Sequence, residues 1–259
     1  MPKSIASEYI DSLNSPFGCS GLEKLLKYKE CQQWGEQAGE SALIGRRLLL
    51  IRTGMTLGGV AAIQNWALGL AGAARADDAP PADDVLKPGP LPEKMLGSST
   101  APVVFLEYSS MTCAHCAFFA NVTFPALKAD YIDSGKVRYV FREFPLDGLA
   151  AAAAMLARST SDDQFFPVIE ALFASQREWV ADRVQPLMTF AARQFGFTPA
   201  RFTEIMADQQ LFDKIKQTYS RGEKFGVTST PSFFINGKQW KGRPSKVAIE
   251  NAIAPLLKT

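Results

Sequence analysis

The stretch 101–144, "APVVFLEYSSMTCAHCAFFANVTFPALKADYIDSGKVRYVFREF", decides the fold of this 259-residue chain. At its centre Cys113 and Cys116 bracket Ala114 and His115, the only histidine in the sequence. Before the pair, Val103–Tyr108 is a short, mostly apolar run, the pattern of a buried strand. After it, the residues from Cys113 onward read as a helix ending near Gly135, with Pro125 predicting a kink. Val137, Tyr139 and Phe141 then alternate along a second strand, 136–144. The dithiol therefore stands at a strand-to-helix junction.

Beyond this unit the pattern turns helical. "LDGLAAAAAMLARS" is alanine-rich. Phe165, Ile169, Leu172 and Phe173 share one helical face, as do Leu187, Phe190, Ala191 and Gln194, stopped by Gly196. Thr198 and Pro199 open another helix as cap and first-turn residues. Leu211, Ile215 and Tyr219 continue the series. "VTSTPSFFINGKQWKG" returns to β character, with a turn at Asn236-Gly237 between 233–235 and 239–241. A closing helix spans about 245–257. Without the helical block the order is β-α-β, then β-β-α.

The start of the chain differs from the rest. Arg46-Arg47 precede "LLLI", residues 53–74 carry no charge, and "ARA" (74–76) is followed by Asp77-Asp78. This predicts an export signal cleaved after Ala76. The arginine pair resembles a twin-arginine signal, but Gly45 and Ile51 depart from that pattern, so the general secretory route stays open. The alternative is a retained membrane anchor, weakened by glycines and by Gln64-Asn65. "DDAPPADDVLKPGPLPEKML" (77–96) reads as a flexible tail. Cys19 and Cys31 lie before the predicted cleavage and are given no function. Residues 1–76 hold eight Lys/Arg and six Asp/Glu, leaving 20 of each beyond. A neutral product gives no electrostatic footprint for nucleic acid or an anionic membrane. It keeps only Cys113 and Cys116, and in an oxidising compartment a domain of this size needs no staple.

Three readings of the pair compete. Zinc needs four ligands, and the product has no other Cys or His to complete a site. A structural disulfide closing so short a loop constrains the unfolded chain little. A redox couple fits best: the first helical N–H groups and the helix dipole favour a thiolate at Cys113, and a protonated His115 adds positive charge nearby. His115 can also be a merely solvated surface residue. Cys116, one turn on, faces inward as the resolving thiol. Glu107 is either a buried acid exchanging protons with Cys116 or an edge-strand acid facing water. Pro231 is either a plain turn proline or a cis-proline that exposes the Thr230 backbone to a peptide. Met111, Phe118, Phe119 and Phe233 are candidates for an apolar substrate surface, with core packing as the alternative for the phenylalanines.

Together "EYSSMTCAHC", "VRYVFREFPLD" and "KFGVTSTPSFFINGK" resemble the DsbA-like family of exported thiol:disulfide oxidoreductases, over about 93–258. The resemblance implies an α/β thioredoxin fold with an inserted all-helical domain. Its expected parts are an extension and export signal (1–76), a short disordered tail (77–97), a first thioredoxin-like part (98–146), a helical insertion (147–225) and a second thioredoxin-like part (226–259). It implies Cys113 as attacking cysteine, Cys116 as its resolving and disulfide partner, Pro231 as the cis-proline and Glu107 as the buried acid. It implies a periplasmic enzyme without cofactor or metal, acting on cysteine-containing exported proteins and reoxidised by a DsbB-like membrane partner. The chain departs from the family in having Ala-His where Pro-His is common. Thr230 also occurs in isomerases and reductases. Three functions are therefore distinguished: a disulfide-introducing oxidase, a reductase or isomerase on the same fold, and a binding or holdase module with an incidental Cys pair.

Overall fold

The computed structural model describes residues 80–181 and 184–258. The predicted export signal, Cys19 and Cys31 lie outside the described residues.

A five-stranded mixed sheet in the order β1-β3-β2-β4-β5 forms the frame. Its strands are β1 (Lys94–Leu96), β2 (Val103–Ser109), β3 (Val137–Glu143), β4 (Ser232–Ile235) and β5 (Lys238–Trp240). The central β2 runs parallel to β3, with Val103 opposite Val137, and antiparallel to β4, with Glu107 opposite Phe233. β1 and β5 pair antiparallel at the two edges. β2 is buried along its whole length, which explains why its sequence is a nearly continuous apolar run. Val103 and Phe105 belong to the larger core, and Val104, Leu106 and Tyr108 to a smaller core on the opposite face. Val137, Tyr139 and Phe141 all enter the larger core, as their alternation predicts. Asn236 (φ 46°) and Gly237 (φ 77°) both take left-handed conformations between β4 and β5, the requirement of a two-residue hairpin turn.

The first crossover is not one uniform helix. α2 (Ala114–Phe118) passes into π-helical Phe119–Thr123, then α3 (Phe124–Leu127), then π-helical Lys128–Ile132. Pro125 has no N–H to donate to the preceding turn, and the wider π turn ahead of it absorbs the missing bond. The anticipated irregularity takes the form of a change in hydrogen-bond register.

Among the described residues, six helices lie between β3 and β4: α4 (Gly148–Arg158), α5 (Asp162–Ala174), α6 (Gln176–Trp179), α7 (Gln185–Phe195), α8 (Pro199–Met206) and α9 (Gln209–Lys224). Phe165, Ile169, Leu172, Phe173, Leu187, Phe190 and Ala191 are buried, whereas Gln194 is exposed and leaves its expected face. Thr198 caps α8 by accepting from the Arg201 N–H at 3.1 Å. α10 (Lys246–Ile253) closes the chain, followed by a 3-10 turn.

Residues 80–96 differ from the flexible tail that their composition suggests. α1 (Ala82–Leu86) buries Val85 completely in the smaller core. The Arg142 guanidinium donates to the carbonyls of Val85 (2.8 Å) and Lys87 (2.9 Å) and pairs with Glu93 at 3.1 Å. Arg221 donates to the carbonyls of Asp84 (2.7 Å) and Lys87 (2.6 Å). Proline removes backbone donors from this segment but leaves its carbonyls, and two arginines bind them.

Candidate active site

Cys113 is the N-cap of α2, with extended backbone (φ −77°, ψ 120°), and its carbonyl accepts the Ala117 N–H at 3.1 Å. Its side chain is therefore held beside the unsatisfied N–H groups of the first turn. Cys113 is partly exposed, and Cys116 is fully buried. Cys113 Sγ also contacts the Thr230 carbonyl at 3.3 Å, across the sheet from a different part of the chain. The Thr230–Pro231 peptide is cis, as the resemblance implies.

These surroundings separate the two sulfurs chemically. The Cys113 thiol is lowered from 9.0 to about 5. The largest cause is a hydrogen bond from the Cys116 thiol; the Thr230 side chain and the backbone N–H groups of Cys116 and His115 add to it, against partial burial. Cys116 moves the other way. Burial raises it, and the neighbouring Cys113 and Glu107 charges raise it further. One thiol is ionised at neutral pH and the other holds its proton.

Glu107 takes the buried one of its two expected positions. It lies on the central strand, only 2% exposed, not on an edge facing water. Burial pushes its carboxyl up to about 7, partly offset by the Tyr139 hydroxyl, which donates to Oε2 at 2.6 Å. Tyr139 reaches it from β3, where it pairs with Phe105. The sequence marks Tyr139 as a core residue but not as the donor to this acid.

His115 is exposed. Its backbone N–H is among the groups that lower Cys113. Among the apolar candidates, Phe118 is 60% exposed, while Met111, Phe119 and Phe233 are buried. Phe233 stacks on Phe105 at 5.1 Å and meets Phe119 at 4.8 Å. These rings form the floor of the site, not a substrate surface, because β4 turns Phe233 toward the larger core.

The helical block also holds the loop carrying Cys113, which the sequence does not reveal. Gln176, at the start of α6, donates through Nε2 to the carbonyls of Met111 (2.8 Å) and Cys113 (3.1 Å). Thr112 donates to Asp147 at 2.6 Å, and Asp147 caps α4 through the Ala150 N–H at 2.7 Å. No signal marks Gln176: one glutamine among many acquires its role only when α6 docks. Among the described residues no cluster of three or more His, Cys, Asp or Glu is placed to hold a metal ion.

Comparison with known proteins gives a consistent result. The thioredoxin family model matches residues 91–254. The crystal structure of alpha-DsbA1 from Wolbachia pipientis is similar, with a TM-score of 0.62 at 32% identity, covering 69% of this chain and 96% of that one. Oxidised BdbD from Bacillus subtilis shares the fold, with a TM-score of 0.58 at 24% identity, covering 64% of this chain and 94% of that one. A curated Rickettsia bellii protein with a provisional protein-disulfide oxidoreductase name is 34% identical over 154 residues, 57% of this chain and 58% of that protein. The match thus spans little more than half the length of such rickettsial relatives. From the family match and the near-complete coverage of a DsbA structure, the chain belongs to the DsbA-like thiol:disulfide oxidoreductases of the thioredoxin superfamily.

Proposed function

We propose that the protein is a periplasmic oxidase that introduces disulfides into cysteine-containing exported proteins. The observation that carries this reading is the placement of a partly exposed Cys113 at the N-cap of α2 against Thr230, with Cys116 buried, which lowers the first thiol to about 5 and raises the second. Relative to an ordinary thiol at 9.0, that shift raises the thiolate fraction at pH 7 about 100-fold. The same shift of four units lowers intrinsic nucleophilicity by about 40- to 100-fold at a Brønsted slope of 0.4–0.5. The two effects nearly cancel for attack. No such cancellation applies when Cys113 is the leaving group, because a more stable thiolate always departs faster. The site therefore favours releasing Cys113 as an anion and handing the disulfide to its partner.

In the proposed cycle a substrate thiolate attacks Cys113 Sγ of the Cys113–Cys116 disulfide and displaces Cys116. The second substrate thiolate then attacks the substrate sulfur and displaces Cys113. The substrate leaves oxidised and the enzyme reduced. Thr230 offers a backbone for an extended substrate segment, and exposed Phe118 offers an apolar contact. A DsbB-like membrane partner would restore the disulfide. Among the described residues no helix is long and apolar enough to cross a membrane; the export route is that of the predicted leader.

Equilibration of the chain with glutathione buffers tests the direction. A potential near about −120 mV supports the oxidase, and one near about −270 mV replaces it with a reductase. Cys113→Ser should abolish oxidation of a reduced substrate protein. A binding or holdase function, by contrast, would be left unchanged by that substitution.

A further inference from the structure

The face of β2 that carries Glu107 holds a second polar side chain with no role so far. Side chains alternate along a strand, so Glu107 and Ser109 share a face with Val103 and Phe105. That face belongs to the core that contains Cys116. Ser109 is 2% exposed, and its hydroxyl oxygen closes no direct hydrogen bond. Leaving a buried hydroxyl unpaired costs about 1–3 kcal/mol. Its neighbour Ser110 shows the ordinary solution, accepting from the Leu146 N–H at 3.3 Å. Ser109 is nevertheless close enough to both Glu107 and Cys116 to favour the charged form of each. A hydroxyl has one proton to give and two lone pairs to receive with, so it can serve both groups at once.

We propose that Ser109 is the proton relay between Glu107 and Cys116. The inference rests on the exchange chemistry proposed above and is indifferent to its net direction. When an incoming thiolate attacks Cys113 Sγ, a new S–S bond forms there, the Cys113–Cys116 bond breaks, and its electron pair leaves on Cys116 Sγ. That buried thiolate takes the hydroxyl proton of Ser109. Ser109 takes a proton from the carboxyl of Glu107, which becomes a carboxylate held by Tyr139. In the reverse step the Cys116 thiol passes its proton to Ser109, and Ser109 passes its own to the Glu107 carboxylate. The Cys116 thiolate then displaces the partner's sulfur from Cys113. Serine ends each passage as it began, and the exchanging disulfide is the only redox reagent.

A relay changes rates without changing an equilibrium. The test is stopped-flow exchange with glutathione in both directions, using the full chain with Cys19 and Cys31 replaced by serine. Ser109→Ala is compared with the parent and with Ser109→Thr, which restores a hydroxyl. The expected result is a fall of about 10- to 100-fold in both rates for the alanine variant, at or below the low end of what a positioned acid–base group contributes. The equilibrium constant should stay within about twofold, the Cys113 ionisation midpoint should stay unchanged, and the threonine variant should recover most of the rate. Alanine rates within about twofold of the parent would overturn the relay. So would a fall in one direction only with a displaced equilibrium, which marks structural support. A reducing potential in the parent would refute the oxidase reading alone, since the ratio of variant to parent rates still reports on Ser109.

Discussion

Replacing Cys116 with alanine should move the ionisation of Cys113 in a direction and by an amount that the geometry sets. The Cys116 thiol is the largest stabiliser of the Cys113 thiolate. A hydrogen bond to a charged group is worth about 1.5–3 kcal/mol, and one pKa unit corresponds to about 1.36 kcal/mol. Removal should therefore raise the Cys113 midpoint by about one to two units. A thiol is a weak donor and Cys113 is partly open to solvent, which takes over part of the lost interaction, so the low end applies. The Thr230 side chain and two backbone N–H groups remain and keep the midpoint below 9.0. Thiolate absorbance against pH, checked by the pH dependence of alkylation, should show inflections near 5 in the parent and about one unit higher in Cys116→Ala. An unmoved midpoint would refute the reasoning, since the helix start and Thr230 would then suffice alone.

Three further outcomes are expected. The Cys113 pKa is lower in the folded dithiol form than in the unfolded chain, so its ionisation stabilises the reduced protein fully above about 9, less as pH falls, and not at all below about 5. The gap between reduced and oxidised urea midpoints should narrow across that window; a gap independent of pH would contradict the assignment. Tyr139→Phe removes a bond that favours the Glu107 carboxylate, so the exchange inflection near 7 should move alkaline by about one unit, read from rate–pH profiles. Arg142→Leu leaves Glu93 without its partner and frees the Val85 and Lys87 carbonyls, and should cost about 3–5 kcal/mol in urea denaturation.

What the sequence discloses follows from how local each feature is. β2 and β3 are legible because burial on both faces and period-two alternation are written along seven residues each. The β4–β5 turn is legible because Asn-Gly meets a backbone demand that few other pairs satisfy. The place of Cys113 at a helix start follows from the strand pattern ending just before it. β1 is illegible because three residues, Lys-Met-Leu, become a strand only by pairing with β3. The anchoring of 80–96 is illegible because it depends on Arg142 and Arg221 meeting carbonyls that any sequence carries. Met111 and Phe233 look like surface candidates because nearness in sequence to Cys113 or to Pro231 does not say which way a side chain turns. The hold of Gln176 on the Cys113 loop needs helix docking 63 residues downstream.

The contact between Cys113 and Thr230 spans 117 positions, and it implies an order of events during synthesis. A chain that has emerged only as far as α2 carries two neighbouring thiols at the head of a short helix. Neither the Thr230 side chain nor the β4 backing that helps enclose the site yet exists. Such a fragment would have only the local stabilisers of the Cys113 thiolate, the Cys116 thiol and two backbone N–H groups. The Thr230 contribution at one sulfur, and the β4 side of the enclosure around the other, arrive only when the final hairpin swings in beside β2, so the half-made protein has only part of the asymmetry of the finished one.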